Sequence, residues 1–100
     1  MQNPISPPWR VNIAMLIFGN STKSWKEVED ALLNRHEVLL DLQGITLGSI
    51  IKRELPNEEY DFIVVDTKGE IRYSNTDLHK LFLMLRELLF DLYETAIHNL

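Results

Sequence analysis

The residues best suited to chemistry in this 100-residue chain lie in the segment GNSTKS, Gly19–Ser24. A phosphate-binding P-loop needs glycines at set positions, so that its backbone N–H groups can surround the phosphates. Here Thr22 stands in place of the glycine before Lys23, and Ile17 stands where the first glycine belongs. The segment still predicts a weaker anion site, because N–H groups at a helix N-terminus attract negative charge. The residues expected to hold that anion are Ser21, Thr22, Lys23 and Ser24.

The rest of the sequence contains no pattern typical of a metal site or of a catalytic nucleophile. The histidines, His36, His79 and His98, share no metal-ligand spacing with one another or with a carboxylate. No cysteine is present, so the chain has no thiolate nucleophile, and no nucleophile motif organises its Ser, His and Asp residues. We therefore predict a non-enzymatic protein without a metal site or a cofactor. Its most acidic loop, which we expect to be solvated, contains Glu58, Glu59 and Asp61.

The net charge of −5 falls entirely in the second half of the chain. Residues 56–100 contain four Lys or Arg against nine Asp or Glu, whereas residues 1–55 are neutral. An acidic chain without a basic stripe is repelled by nucleic acids and by anionic membranes, so neither is an expected partner. The longest apolar run, Ile13–Phe18, is shorter than the ~20 residues of a membrane-spanning helix. No small-residue cleavage site follows it, and we predict a cytoplasmic protein.

Apolar periodicity predicts the elements of the first half. Residues 1–9 contain three prolines and are expected to be a flexible leader before a single α/β domain at 10–100. Val11–Phe18 is apolar at nearly every position, which is typical of a strand covered on both faces. A capping-box pattern that begins at Ser24 predicts a helix ending near Arg35.

The second half adds a strand, a short helix and a hairpin. Glu37–Leu42 is predicted as a strand, and Thr46–Leu55 as a short helix that Pro56 ends. The apolar run Phe62–Val65, a glycine-containing turn and the alternating segment 70–74 together indicate a β-hairpin.

A long helix, capped by Asn75 or Thr76 and ending near His98, completes the order β-α-β-α-β-β-α. The first and third strands are apolar on both faces, which predicts central positions in the sheet. Polar interruptions in the second and fourth strands predict edge positions. Right-handed crossovers then give a four-stranded mixed sheet of order 2-1-3-4, flanked by helices.

This order resembles the thioredoxin-like fold. The stretch DFIVVDTKGEIRYSN followed by DLHKLFLMLREL is similar to its closing hairpin and C-terminal helix. The family's Cys-x-x-Cys motif is absent, and Tyr60 and Asp61 occupy the place of its cis-proline. The resemblance therefore implies a cysteine-less relative, and such relatives, including a cyanobacterial clock protein and hydrogenase assembly chaperones, are protein-binding modules. The hairpin alone also resembles the opening of PAS sensor domains, but too few residues follow Ser74 to complete their sheet.

The last helix carries more apolar surface than one face of a sheet needs. An arc of roughly 100° suffices to cover a sheet, and it is filled by Leu78, Leu81, Phe82, Leu85, Leu88, Leu89 and Leu92. A further line of apolar residues, Leu83, Phe90 and Ile97, recurs every seven residues beyond that arc. We expect either the N-terminal segment or a second chain to cover this line.

These features predict a small regulatory or assembly protein that binds another protein and forms a homodimer through its last helix. Its expected anchors are Leu83, Phe90, Tyr93 and Ile97. An acidic rim that would steer a basic partner consists of Glu87, Asp91 and Glu94. The alternatives are a small-ligand or anion-binding module that uses Gly19–Ser24, and an inhibitor or immunity-type protein from a phage or bacterium.

Overall fold

The computed structural model describes residues 9–18 and 22–99, which form a five-stranded sheet and three α-helices. The elements are β1 (Trp9–Asn12), α1 (Ile13–Phe18), α2 (Thr22–Arg35), β2 (Glu37–Leu42), β3 (Ile45–Glu54), β4 (Tyr60–Asp66), β5 (Ile71–Asn75) and α3 (Leu78–His98). The predicted mixed α/β class is confirmed. Of the predicted leader, residues 1–8 lie outside the described residues, and Trp9 belongs to β1.

The strands follow one another across the sheet in the order β1-β2-β3-β4-β5. β1 pairs with β2 in parallel, and every later pair is antiparallel. The predicted four-stranded sheet of order 2-1-3-4 is therefore wrong in strand number and in order. Two segments whose predicted structure is wrong account for the difference, one before α2 and one after β2.

The first misread segment is Val11–Phe18, which is not one continuous strand. The strand ends at Asn12, whose side-chain Oδ1 accepts a hydrogen bond from the backbone N–H of Ala14 at 2.9 Å. This is the bond by which an N-cap residue starts a helix. α1 follows, and its Ile13 and Leu16 are fully buried. Six of the eight residues of the run belong to this core helix, which explains its apolar composition, and β1 itself is an edge strand.

The second misread segment is Thr46–Leu55, predicted as a helix but found in strand β3. Gln43 and Gly44 both have positive φ, 53° and 83°, and they join β2 to β3. Two residues of that conformation form the turn that matches the twist of a tight hairpin. The segment after the turn is rich in β-branched residues, which favour strands.

Other predicted elements are confirmed. α2 ends at Arg35, β2 has the predicted bounds, and β4 and β5 form the predicted hairpin with Gly69 at a φ of 86°. The predicted N-cap of α3 is wrong. The carboxylate of Asp77 accepts hydrogen bonds from the N–H groups of His79 and Lys80, so Asp77 caps the helix rather than Asn75 or Thr76.

All three helices pack on one face of the sheet. A single core joins Val38, Ile50 and Val64 of the sheet to residues of α1, α2 and α3. Side chains alternate between the two faces of a strand, so the neighbours of these residues point away from the helices. We call the apolar residues on that other side the open face: Leu39, Ile51, Ile63, Val65 and Ile71. None of α1, α2 and α3 covers it.

Asp66 ties the β4–β5 hairpin to α3. Its side chain, 1% exposed, accepts hydrogen bonds from the backbone N–H groups of Lys68 and Glu70 and from the guanidinium of Arg72. Arg72 also donates to the Thr95 hydroxyl on α3 at 3.4 Å. Burial raises the pKa of Asp66, but the hydrogen bonds from Glu70, Arg72 and Lys68 outweigh it, and the pKa is lowered overall.

A carboxyl group whose pKa is lowered on folding stabilises the protein at any pH above the pKa that the group has in the unfolded chain. This contribution is lost as the pH falls through the pKa that the group has in the folded protein. We expect Asp66→Asn to destabilise the fold by about 1–3 kcal/mol at pH 7, because it removes a buried charge that accepts several hydrogen bonds. The melting temperature of the variant should also fall less steeply than that of the parent below about pH 4. Thermal unfolding followed by circular dichroism from pH 2 to 7 measures both effects.

Asp91→Asn is the matched control for this experiment. Asp91 is 58% exposed and lies 3.9 Å from the same Arg72, so its replacement should cost less than about 1 kcal/mol. Parallel acid profiles for the parent and Asp66→Asn would show that Asp66 does not contribute to the acid sensitivity.

Candidate protein-binding surface

The apolar line predicted on the last helix is exposed along α3. Leu83 is 69% exposed, Phe90 is 68% exposed and Ile97 is 37% exposed. We call these three residues the α3 stripe. The side of α3 that faces the sheet is filled by other residues, namely Leu78, Leu81, Phe82, Leu85, Leu92 and Ala96. The α3 stripe therefore lies outside the hydrophobic core.

A groove of about 340 Å³ runs beside Phe90, between α3 and the turn that joins β2 to β3. Its walls are mostly apolar and consist of Leu42, Gln43, Arg86, Leu89, Phe90 and Tyr93. Tyr93 is half-buried and packs against the core, so it forms a wall of the groove rather than a protruding anchor. The sequence did not predict Leu42 and Gln43 as part of this site, because the hairpin they belong to was read as a strand followed by a helix.

The predicted acidic residues do not all lie beside the α3 stripe. Glu87 and Glu94 are exposed on the outer side of α3. The carboxylate of Asp91 is instead 3.9 Å from the guanidinium of Arg72, so it points towards β5 and away from Phe90. The rim near the α3 stripe consists of Glu87 and Glu94.

The segment predicted to bind an anion joins two helices instead of a strand and a helix. Ser21 lies outside the described residues, while Thr22, Lys23 and Ser24 form the first turn of α2. Ser24 is therefore inside the helix and is not its cap. The strand-to-helix turn on which the predicted anion site depended is absent, because α1 precedes the segment.

Titratable residues form no metal site in the part of the chain that the structure describes, where no group of three or more His, Asp or Glu comes together. Of the residues predicted to form a solvated acidic loop, Asp61 is instead in β4 and buried, where it accepts two hydrogen bonds from the guanidinium of Arg53, at 3.1 and 2.8 Å. This hydrogen bonding raises the pKa of Arg53. Every buried side-chain N or O atom of the described residues has a hydrogen-bond partner, so none is left aimed at a ligand.

The open face is a second apolar surface, on the opposite layer from α3. Ile71 is 53% exposed at its edge, while Ile63 is 6% exposed because its neighbours on the sheet shield it. Ion pairs lie on this same side of the sheet, between Arg10 and Asp41 at 3.0 Å and between Arg53 and Asp61. Apart from Ile71, the apolar residues of this face are less exposed than those of the α3 stripe.

Two further findings bear on what the chain can do. Among the described residues, no helix is both long and apolar enough to cross a membrane. No protein-family model, curated protein or solved structure matches the chain. Among the described residues, Leu83 and Phe90 of the α3 stripe are the most exposed large apolar side chains, so this surface is the starting point for the function.

Proposed function

We propose that this chain is a small non-catalytic protein-binding module that associates with a second copy of itself through α3. The observation that carries the proposal is the exposure of the α3 stripe, three large apolar side chains on one line of a helix. Soluble monomers rarely leave a contiguous apolar patch in water, and such patches mark interaction sites. Phe90 is the expected anchor, because aromatic residues beside a groove often dominate binding energy.

The size of the patch sets the expected affinity. A large apolar side chain that becomes fully buried gains roughly 1.5–3 kcal/mol, and a two-fold dimer buries the α3 stripe of both copies. Association costs roughly 4–15 kcal/mol in lost freedom of motion. At the middle of these ranges the surplus is about 4–5 kcal/mol, so we expect a weak dimer with a dissociation constant of several hundred micromolar.

A regulatory or assembly role in the cytoplasm is part of the proposal. The absence of cysteine agrees with a reducing compartment, where structural disulfides are rare. The resemblance to cysteine-less thioredoxin-like proteins stays a prediction, and self-association through α3 does not depend on it.

Phe90→Glu tests the proposal. The change places a charge in the centre of the α3 stripe but leaves the core untouched, so we expect a folded protein that no longer dimerises. Light scattering and sedimentation at high micromolar concentration measure the mass of parent and variant, and circular dichroism checks that the variant is folded. A parent protein that remains monomeric under these conditions would overturn the proposal.

Ile71→Glu is the matched control, because it adds the same charge to an exposed apolar residue on the open face. We expect this variant to dimerise like the parent. If Ile71→Glu yields monomers while Phe90→Glu stays dimeric, the open face and not α3 is the interface.

A further inference from the structure

The last turns of α3 are held to the rest of the molecule by little apolar contact. Of residues 93–99, Ala96 is the only buried one, and Tyr93 packs against the core from a half-buried position. Hydrophobic stabilisation scales with the apolar area buried, and an alanine offers a single methyl group. Segments with few buried contacts open at a lower free energy than the rest of a fold. We therefore expect polar contacts to decide how firmly these turns are held.

Polar residues on one side of α3 supply such contacts. Asp91, Thr95 and Asn99 are spaced four residues apart, so they lie along one side of the helix, and we call them the polar row. The guanidinium of Arg72 on β5 lies 3.9 Å from the Asp91 carboxylate and donates to the Thr95 hydroxyl at 3.4 Å. The side-chain Nδ2 of Asn99 donates to the hydroxyl of Thr67, in the turn between β4 and β5, at 3.1 Å. Each member of the polar row thus meets the β4–β5 hairpin.

The hairpin is a firm support for these contacts. The side chain of Asp66 is 1% exposed and accepts a hydrogen bond from Arg72 at 3.1 Å. It also accepts hydrogen bonds from the backbone N–H groups of Lys68 and Glu70, which fix the turn that contains Thr67. Arg72 and Thr67 are therefore held in place within the hairpin, and they in turn hold the end of α3.

We propose that the hairpin and the polar row form a clasp, which keeps the last turns of α3 helical and keeps Ile97 in line with Leu83 and Phe90. Successive residues of a helix are about 100° apart, so Ile97 and Thr95 point in directions about 200° apart. The clasp therefore holds the helix on one side and leaves Ile97 exposed on the other. When the clasp opens, Ile97 leaves the α3 stripe.

Opening of the clasp is local. The earlier part of α3 is anchored by large, fully buried side chains, including Leu81, Leu85 and Leu92. These side chains stay in the core when the turns after Leu92 separate from the hairpin, so the sheet and the core remain intact. The clasp thereby sets whether the α3 stripe contains three apolar residues or two. Its importance for binding rests on the proposed self-association, whereas the clasp itself does not.

Threonine-to-valine replacements test the clasp, because valine has nearly the same shape as threonine and lacks only the hydroxyl. Thr67→Val removes the hydrogen bond from Asn99, and Thr95→Val removes the one from Arg72. Amide hydrogen exchange followed by NMR measures the opening of individual residues. We expect exchange at residues 97–99 to be roughly two- to tenfold faster in each variant, and faster still in the double variant.

Low concentrations of urea distinguish local opening from unfolding of the whole chain, because the urea dependence of an opening grows with the surface that it exposes. In the parent protein, exchange at residues 97–99 should hardly change with urea, whereas exchange at Leu85 and Leu92 should accelerate steeply. A steep urea dependence at residues 97–99 would overturn the clasp, since the end of α3 would then open only together with the core.

Thr76→Val is the matched control. Thr76 is an exposed threonine just before α3 and takes no part in the contacts of the clasp. We expect exchange at residues 97–99 in this variant to match that of the parent. The clasp is refuted if Thr67→Val and Thr95→Val leave this exchange unchanged, or if Thr76→Val accelerates it as much as they do.

These measurements are made at about 50 μM, well below the expected dissociation constant of the dimer, so that they report on a single copy. The exchange result then decides the clasp whether or not the parent protein dimerises. Light scattering of the parent at high micromolar concentration decides the proposed function separately, and a monomeric parent with the expected exchange would refute self-association and leave the clasp standing.

Discussion

Replacing Val64 by aspartate is expected to unfold the protein, whereas the same replacement at Val65 is expected to leave it folded. Val64 is fully buried in the core, paired with Ile50 on β3 and Tyr73 on β5. An unpaired carboxylate at that position costs several kcal/mol, against a total stability of roughly 5–15 kcal/mol for a domain of this size. Val65 points to the open face, where a carboxylate can reach water.

The two variants differ in one position of one strand, so strand propensity and added charge are the same in both. Urea unfolding followed by tryptophan fluorescence and circular dichroism compares them, and Trp25 reports on the core because it packs against Phe82. A Val64→Asp protein that unfolds at the same urea concentration as the parent would contradict the placement of β4 beneath the helices.

Gly48→Ala is expected to destabilise the fold by about 3 kcal/mol or more. Gly48 has a φ of 146°, and an added Cβ would lie 2.1 Å from the backbone oxygen of Val65. The atom in the way is backbone and belongs to the β3–β4 ladder, so it cannot move without breaking strand pairing. The variant therefore combines steric overlap with an unfavourable backbone conformation. Each of these is a known cause of a large loss of stability.

Gly44→Ala separates these two contributions. Gly44 also has a positive φ, 83°, but an added Cβ there would meet nothing within 4 Å. We expect it to cost about 1–2 kcal/mol, the penalty for an L-residue in the left-handed region. Chemical denaturation of both variants measures the difference, and equal losses would show that the close approach to Val65 relaxes without cost.

Some of the fold could be predicted because the relevant signals are local. The hairpin of β4 and β5 follows from an apolar run, a turn and an alternating run that are adjacent in the chain. The same holds for α3, whose length and periodicity define it without reference to its neighbours. The segment Val11–Phe18 is different, since an apolar run has the same composition in a buried strand and in a core helix. The segment divides into β1 and α1 at Asn12, where the side chain of Asn12 accepts a hydrogen bond from the N–H of Ala14.

The same distinction applies to the candidate site. The α3 stripe could be found from spacing alone, because Leu83, Phe90 and Ile97 lie on one helix. The groove beside it could not, since Leu42 and Gln43 reach it only through the turn between β2 and β3. The orientation of Asp91 also depends on tertiary structure, because Arg72 lies on a different element.

The strand order has a consequence for how the chain folds. From β2 to β5, each strand pairs with the next strand along the chain, so these pairs close through short connections. The entropy lost in closing such short loops is small, and contacts local in sequence favour fast folding. β1 differs, because two helices, α1 and α2, separate it from its partner β2 in the chain. We therefore expect the meander of β2 to β5 to form first and β1 to pair last, completing the sheet at its parallel edge.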